Sequence, residues 1–376
     1  MKFVVSSMEL LGHLQAVSRV ISNKNTLPIL DNFLVSLEDG LLEITASDLE
    51  STLVTQIHLE NTDGKGMVAI PARILTDTLK EFPDIPLTFE INTDTMMIVI
   101  QSENGKFTIM GQNGAEFPQM PVIKDDQKQH IEMEREVLLS GISKSLFATA
   151  DDELRPVMNG IFMELSPDDI TFVASDAHKL VRYKRTDATA ESASSFILPK
   201  KPASLLKNIL PKEENHVILE FDDRNASFTL TSYKLVCRLV EGNYPSYNSV
   251  IPTDNPYKMS IDRQSFYNTL KRVSVFSNQA SNLVKLSLTG NQINISAQDI
   301  DFSISANERL SCQYEGEDLE IGFKSTFLIE ILANLSSDDV ILEMSDPTRA
   351  GIVLPAESES DNEDTLMLLM PMMINA

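Results

Sequence analysis

Hydrophobic residues recur along the chain in two patterns, one helical and one extended. Six windows place apolar residues three or four positions apart, which predicts amphipathic helices. The windows are residues 8–24, 71–82, 135–147, 200–210, 261–277 and 324–335. Three further stretches alternate apolar and polar residues on both sides of a turn signal, near residues 33–45, 161–173 and 284–296. Such stretches predict antiparallel strand pairs, so the chain is expected to be an α+β protein.

The order helix, strand pair, helix and further strands occurs three times. The end of each strand pair carries a related tripeptide: Ala46-Ser47-Asp48, Ala174-Ser175-Asp176 and Ala297-Gln298-Asp299. The aspartates are 128 and 123 positions apart, a spacing typical of repeated domains. Three unrelated α+β domains in tandem are the alternative. The repeat predicts three similar domains, each with two helices on β-sheets, at residues 1–124, 125–253 and 254–376.

The charge of the chain is strongly negative but unevenly distributed. With 376 residues, 42% of them hydrophobic, the chain can build real cores, which excludes a disordered acidic tail despite a net charge of −24. Spread evenly, that charge would argue against a nucleic-acid partner. The six helix windows, however, carry 13 basic and 6 acidic residues, which gives them +7 and leaves −31 elsewhere. Helices lining one side would attract a polyanion; basic residues on ordinary solvated helix faces are the alternative.

Motifs for catalysis or for a bound cofactor are missing from the sequence. Gly64-Lys65 and Gly105-Lys106 lack the other residues of a phosphate-binding loop, and the five histidines are scattered. Asp176 and His178 suggest an acid–base pair, but the other two copies have the aspartate without a histidine, so a turn-forming aspartate explains all three. Cys237 and Cys312 lie in alternating strands and are expected to be buried. We therefore expect no catalysis, no cofactor and no metal.

The remaining segments suggest a protein partner rather than a membrane. The longest apolar stretch, Leu366–Ile374, is broken by Pro371 and is too short to cross a bilayer, and the first residues have too short an apolar run for a secretory signal. We expect a soluble, cytoplasmic protein. Residues 368–374 and Tyr244-Pro245 are apolar, although segments at such positions are usually exposed to solvent. We therefore expect the residues upstream in the C-terminal segment to join a sheet, and the methionine-rich tail to line a groove. The acidic run 357–364 is expected to form a hairpin loop.

Several short motifs, taken in order and with their spacing, resemble those of one family over the whole chain. They are Thr26-Leu-Pro-Ile-Leu30, Ser47-Asp-Leu-Glu50, Val68-Ala-Ile-Pro-Ala-Arg73, Glu116-Phe-Pro118, Met158-Asn-Gly160, Val173-Ala-Ser-Asp-Ala-His-Lys-Leu180, Leu235-Val-Cys-Arg-Leu-Val-Glu-Gly242, Tyr244-Pro-Ser-Tyr247, Leu319-Glu-Ile-Gly-Phe323 and Met370-Pro-Met372. The sequence resembles the bacterial replicative sliding clamp, the beta subunit of DNA polymerase III.

This resemblance implies a fold and a function. Three domains of the DNA-clamp fold per chain would close into a ring as a head-to-tail homodimer, with helices lining the hole and sheets outside. The ring would encircle double-stranded DNA without reading its sequence and confer processivity on the polymerase. Such a clamp is not an enzyme. Its implied partners are the DNA polymerase III catalytic subunit, an ATP-dependent clamp loader, and other polymerases and repair proteins that carry a short clamp-binding peptide.

The resemblance also implies roles for individual residues. DNA-binding positions would be Lys24, Arg73, Lys80, Arg155, Lys200 and Lys201. The groove for the partner peptide would comprise Met158, Ser175, Ala177, His178, Lys179, Leu180, Pro245, Val250, Phe327, Thr348, Ala350, Leu368, Met370, Pro371 and Met372. The dimer interface would use Phe107, Ile109, Val275 and Phe276. In the groove, Lys179 stands where better-known members have arginine, and Ser249 also replaces an arginine.

Two other interpretations compete with the clamp. An enzyme would use the Asp176 and His178 region. An acidic β-rich scaffold would bind proteins without binding DNA.

Overall fold

Six α-helices occur in the described part of the protein. The structure, a computed structural model, describes residues 1–124 and 128–374; residue 125, at the expected start of the second domain, lies outside these ranges. The helices are α1 Ser7–Val17, α2 Ala72–Lys80, α3 Arg135–Ser145, α4 Lys200–Ile209, α5 Arg263–Ser274 and α6 Ser325–Ala333. One helix lies in each predicted window. No helix among the described residues is long and apolar enough to span a membrane.

Most of the remaining described chain forms β-strands. The first eleven are β1 Lys2–Ser6, β2 Asn32–Glu38, β3 Leu41–Ser47, β4 Ser51–His58, β5 Thr62–Asp63, β6 Gly66–Pro71, β7 Pro86–Asn92, β8 Met97–Gln101, β9 Lys106–Met110, β10 Gln112–Asn113 and β11 Gln129–Met133. The next eight are β12 Gly160–Leu165, β13 Ile170–Ser175, β14 Lys179–Arg185, β15 Ser194–Pro199, β16 Val217–Phe221, β17 Asn225–Thr229, β18 Tyr233–Arg238 and β19 Tyr257–Asp262. The last eight are β20 Leu283–Thr289, β21 Gln292–Asp299, β22 Ile304–Ser311, β23 Gln313–Glu315, β24 Leu319–Lys324, β25 Asp339–Met344, β26 Gly351–Pro355 and β27 Glu363–Leu369.

The strands form two sheets in each of two compact units. The first unit comprises residues 1–139 and 201–239, and the second comprises residues 140–200 and 240–376. In the first unit, the sheet orders are β5-β1-β7-β8-β9 and β10-β6-β2-β3-β4-β18-β17-β16-β11. In the second unit they are β15-β12-β13-β14-β27-β26-β25-β19-β23 and β22-β21-β20-β24. The three predicted strand pairs are the antiparallel ladders β2·β3, β12·β13 and β20·β21.

Local sequence explains where several helices begin. Ser6 caps α1, because its hydroxyl accepts a hydrogen bond from the Glu9 amide, and Asp262 caps α5 by accepting from the Ser265 amide at 2.7 Å. Both caps are the last residues of strands, so each of these helices starts directly at a sheet end. The apolar stripe of each helix is then turned onto the sheet. In α5 that stripe is Phe266, Leu270 and Val273, all buried.

In the core of the second unit, the apolar stripes of the helices pack with the alternating apolar residues of the strands. Strand β20 alternates buried and less buried positions, as expected for a sheet with one face covered. Its buried Leu286 belongs to the same apolar cluster as Leu270 of α5 and Leu332 of α6. The helices are thus held to the sheet by burial of apolar area.

Cys237 and Cys312 are both buried, as predicted, and burial raises the pKa of Cys237 to about 12.

The repeated aspartate forms the same turn in all three copies. Asp48 Oδ1 accepts hydrogen bonds from the amides two and three residues later, at 3.1 and 2.7 Å. Asp176 does the same at 2.9 and 2.9 Å, and Asp299 at 3.0 and 3.3 Å. In the first two copies the residue after the aspartate, Leu49 or Ala177, has φ of +77° or +73°, a left-handed conformation that is rare outside glycine. The interpretation of this aspartate as a turn former is confirmed.

A helix glycine offers a direct test of this packing. We expect Gly141→Ala in α3 to lower the free energy of unfolding by about 1–3 kcal/mol, because the new Cβ would lie 2.4 Å from ring carbons of the fully buried Phe172. Gly12→Ala in α1 is the matched control. It has nothing within 4 Å of the new Cβ, and it should raise stability by up to about 1 kcal/mol. Thermal unfolding measures both variants; shifts of the same sign would contradict the close approach of α3 to β13.

Candidate functional site

The second aspartate turn and the C-terminal segment form one apolar surface in the second unit. Strand β14 leaves the turn and pairs with β27, with Leu180 opposite Leu368. These two side chains share a cluster with Val173, Tyr247 and Ala350. The predicted upstream part of the tail is observed, because residues 363–369 form a central strand of the sheet before the chain leaves it. The expected loop 357–364 is therefore shorter than predicted, since Glu363 and Asp364 already belong to β27. The structure therefore brings Leu180, Ala350 and Leu368 of the predicted groove together.

Backbone contacts fix the chain after β27. The Met370 amide donates to the His178 carbonyl at 2.8 Å, and the Met372 amide donates to the Gly322 carbonyl at 2.8 Å. Gly322 is required here, because a Cβ would lie 2.8 Å from the Met372 carbonyl oxygen. The tail is thus held between the turn at His178 and strand β24. Met370 remains exposed, while Pro371 and Met372 are half-buried.

Charged and aromatic side chains form one end of this surface. Lys179 is almost fully buried and bridges two carboxylates, Asp176 at 3.1 Å and Glu330 at 2.8 Å. Its Nζ also lies 4.3 Å from the ring centroid of Phe327 on α6. The His178 ring stacks on the same phenyl ring, with centroids 6.1 Å apart. Asp176 is therefore occupied by backbone amides and Lys179, and His178 by Phe327, which leaves the pair no arrangement suited to acid–base catalysis.

Two tyrosines add to the surface beyond the predicted residues. Tyr244 stacks on Phe162 with centroids 4.8 Å apart, and the Tyr247 hydroxyl donates to Glu164. Burial raises the pKa of both tyrosines, and the bond to Glu164 raises that of Tyr247 further, so both hydroxyls stay protonated. The Tyr244-Pro-Ser-Tyr247 motif was the available signal for them. Glu330 gave no local signal, because its partner Lys179 lies 151 positions away.

The other predicted groove residues differ in their exposure and in their contacts. Met158 and Ser175 are buried, and the Ser175 hydroxyl donates to the Lys179 carbonyl at 2.9 Å. Thr348 is exposed and bonds Asp346. Ala177, Pro245 and Val250 are exposed. Within residues 1–124 and 128–374, no group of three or more His, Cys, Asp or Glu side chains is arranged to hold a metal ion.

The predicted DNA-binding residues divide between the two units. In the first, Lys24 and Arg73 are exposed, Lys80 pairs with Asp77, and Lys201 bonds the Val20 carbonyl and Asp48. In the second, Lys200 pairs with Asp151 at 2.6 Å and Arg155 with Asp152 at 2.8 Å. Both carboxylates lie in the loop 151–155, which Arg155 contacts from within and Lys200 contacts from the first residue of α4. Exposed surface pairs of this kind contribute little to stability and can exchange partners.

Exposed apolar residues lie where the dimer interface was predicted. Phe107 and Phe276 are partly exposed and Val275 is largely exposed, whereas Ile109 is buried. Ile300 and Phe302, which the sequence interpretation missed, are more than 70% exposed. Both lie within the third aspartate turn, before β22 begins. Large apolar side chains with this exposure are typical of interaction surfaces.

Comparison with known proteins identifies all three segments. Models of the N-terminal, central and C-terminal domains of the DNA polymerase III beta subunit match residues 1–121, 132–246 and 248–373. The chain is 28% identical to the beta sliding clamp of Pseudomonas putida, over 99% of this chain and 100% of that one. It is 29% identical to the beta sliding clamp of Haemophilus influenzae, over 96% and 97%.

Solved structures agree with these matches. The sliding clamp of Pseudomonas aeruginosa, DNA polymerase III subunit beta, superimposes with a TM-score of 0.92 at 26% identity over 100% of both chains. That of Bartonella birtlesii gives 0.92 at 27% identity, also over 100% of both. The three repeats are therefore three clamp domains, and the chain belongs to the DNA polymerase III beta subunit family.

Proposed function

We propose that this protein is a DNA sliding clamp that confers processivity on the replicative polymerase: two copies join head to tail around duplex DNA. Members of this family are non-catalytic. The observation that carries the proposal for this chain is a pair of sheet edges, one in each unit, that the internal repeat predicts should be paired with each other.

The repeat defines a rule for pairing between consecutive copies. The strand after the first aspartate turn, β4, pairs with β18, the last strand of the second copy. The strand after the second turn, β14, pairs with β27, the last long strand of the third copy. The strand after the third turn, β22, is at a sheet edge, as is β9 near the end of the first copy. By the same rule, β22 of one protomer pairs with β9 of another, and a head-to-tail dimer satisfies both edges.

The repeat also specifies the register of that pairing. Leu53, Val181 and Ala306 are equivalent, since each lies opposite the alanine of its tripeptide, Ala46, Ala174 or Ala297. Leu53 pairs with Leu235 and Val181 with Met367. Leu235 lies opposite Phe228 on the preceding strand of its copy, and Met367 lies opposite Val353 on the preceding strand of its copy. In the first copy, Phe107 lies opposite Ile100 in the same way, so Phe107 is the residue equivalent to Leu235 and Met367.

The expected register therefore places Ala306 opposite Phe107 and Ile304 opposite Ile109 of the second protomer. Ile304 and Ala306 lie on one face of β22, and Phe107 and Ile109 lie on one face of β9, so apolar residues meet apolar residues. A shift by one residue would set this face against polar side chains. Phe302 and Val275 would extend the buried area.

A cysteine pair tests this register. We expect Ala306→Cys combined with Phe107→Cys to form an intermolecular disulfide under mild oxidation, because cross-strand partners bring Cβ atoms within about 4.5–5.5 Å. The product is a covalent dimer on a denaturing gel. Ala306→Cys with Met110→Cys, three residues away on β9, is the matched control and should cross-link far less. The native cysteines are buried and give little background. A protein of 41.9 kDa in solution, or equal cross-linking of both pairs, would contradict the proposal.

Binding of DNA would rest on cations that contact phosphates and not base edges. Lys24 is exposed, and Arg73, Lys80, Arg155, Lys200 and Lys201 hold carboxylates that phosphate oxygens could replace. Contacts of this kind have nearly equal energy at every position along the duplex, which permits sliding. The excess of negative charge on the remaining surface would keep DNA away from it.

Partners would reach the clamp through the apolar surface around Leu180, Leu368 and the tail. We propose that it binds a short peptide with apolar anchors, carried by the polymerase, the clamp loader and repair proteins. Leu180, Ala350 and Leu368 share one apolar cluster. Met370 and Val250 are exposed, and each lies next in sequence to a half-buried residue. A bound apolar peptide would therefore remove further apolar side-chain area of this surface from water.

A further inference from the structure

A single lysine without a carboxylate partner lies at the charged end of the groove. Lys324 ends β24 and directly precedes α6, and its Nζ is 4.6 Å from the ring centroid of Phe327. Lys179 lies over the same ring, with its Nζ 4.3 Å from the centroid. Two ammonium groups therefore lie within 5 Å of one phenyl ring.

The two lysines differ in how their charge is compensated. Lys179 is bound by Asp176 and Glu330, so two carboxylates already neutralise its charge. Lys324 makes no ion pair within the part of the chain that the structure describes, and it is half-buried. A cation–π contact offsets only part of the cost of partly removing an ammonium group from water. Lys324 is thus the group at this end that would gain most from an incoming carboxylate.

The position of Lys324 places this charge beside the tail. The tail pairs with β24 at Gly322, through Met372. The tail runs antiparallel to the edge strand β24 at this bridge, so Lys324, two residues after Gly322, lies toward the part of the tail that precedes Met372. A peptide bound along the tail would pass this ammonium group and the Phe327 ring.

We propose that Lys324 is a specificity residue of the groove, which selects peptides carrying a glutamate or aspartate next to their apolar anchors. This inference rests on the proposed peptide groove. A single carboxylate suits the site better than a phosphate, because Asp176 and Glu330 lie nearby and would repel a second negative charge. The groove of this chain would therefore select peptides by a negatively charged residue as well as by their apolar anchors.

Paired peptides test the proposal. We would synthesise peptides with a Leu-Phe anchor in which one residue, at each flanking position in turn, is either Glu or Gln. Fluorescence anisotropy would give the dissociation constant of each. At one position, the wild-type protein should bind the Glu peptide about tenfold more tightly than its Gln partner, as expected for a charge-assisted bond in a partly buried site. The ratio should fall as salt is raised.

Two variants separate the outcomes. Lys324→Gln should reduce the Glu-to-Gln preference to about one while leaving the affinity for the Gln peptides unchanged. Lys285→Gln is the matched control, since Lys285 lies on β20 of the same sheet and pairs with Glu320, and it should keep the preference. Equal binding of all Glu and Gln peptides by the wild-type protein, or a preference that survives Lys324→Gln, would overturn the inference alone. No binding of any peptide would overturn the groove itself.

Discussion

Protein loaded onto a nicked circular duplex should stay there, and cutting the circle should release it. A closed ring can leave a circle only by opening, whereas it leaves a linear duplex by sliding off an end. The residence time on the linear product should therefore be at least about tenfold shorter. This retention should also resist salt, because a topological link does not depend on phosphate contacts, whereas direct binding weakens steeply with salt. Gel filtration of labelled protein with each DNA form measures the difference.

The alternative of an acidic scaffold predicts a different result. A scaffold without DNA binding would be absent from both circular and linear DNA. Equal retention on both forms would indicate direct binding and would contradict a ring. The oxidised Ala306→Cys, Phe107→Cys dimer supplies a further control: closed before loading, it should fail to reach circular DNA.

Removing residues 370–376 should abolish stimulation of the polymerase while the protein stays dimeric. The deletion takes away Met370 and Met372, whose amides bond His178 and Gly322, but it leaves β27 and the sheet intact. Synthesis on a primed circle should fall by at least about tenfold, to the level without clamp, if the apolar anchors of the tail hold the partner peptide. The length of the products made in one binding event reports this directly.

A milder change controls for the deletion. Met373→Ala alters a side chain that is 87% exposed, and it should leave stimulation unchanged. Retention of the deleted protein on circular DNA should match that of the full chain. Stimulation that survives the deletion would show that the groove lies elsewhere.

Local patterns in the sequence predicted which segments form helices and strands better than they predicted the residues at which these begin and end. The window 8–24 overlaps α1, but the helix begins at Ser7 and ends at Val17, and a short 3-10 turn follows before the backbone becomes extended at Ile21. Apolar spacing continues through such a turn, so periodicity alone does not detect it. The aspartate turns were predictable because their hydrogen bonds join residues only two or three positions apart.

Contacts between distant segments were not predictable in this way. The pairing of β14 with β27 joins residues such as Leu180 and Leu368, and no local signal specifies that register. The bond from Lys179 to Glu330 spans 151 positions. The sequence therefore indicated the residue types of the groove, while the compensated Lys179 and the uncompensated Lys324 emerged only once β14 and α6 were placed side by side.

The central place of β27 in its sheet constrains how the protein is made. Four strands on one side of it and four on the other can join only through this segment, which follows β14 by some 180 positions. During translation, the edge of β14 that pairs with β27 has no hydrogen-bonding partner until residue 369 has left the ribosome. Pairing between strands so distant in sequence is slow, and until it occurs the unpaired edge of β14 can pair with other chains and aggregate. Premature termination before residue 363, where β27 begins, should therefore yield aggregates instead of a shortened but folded product.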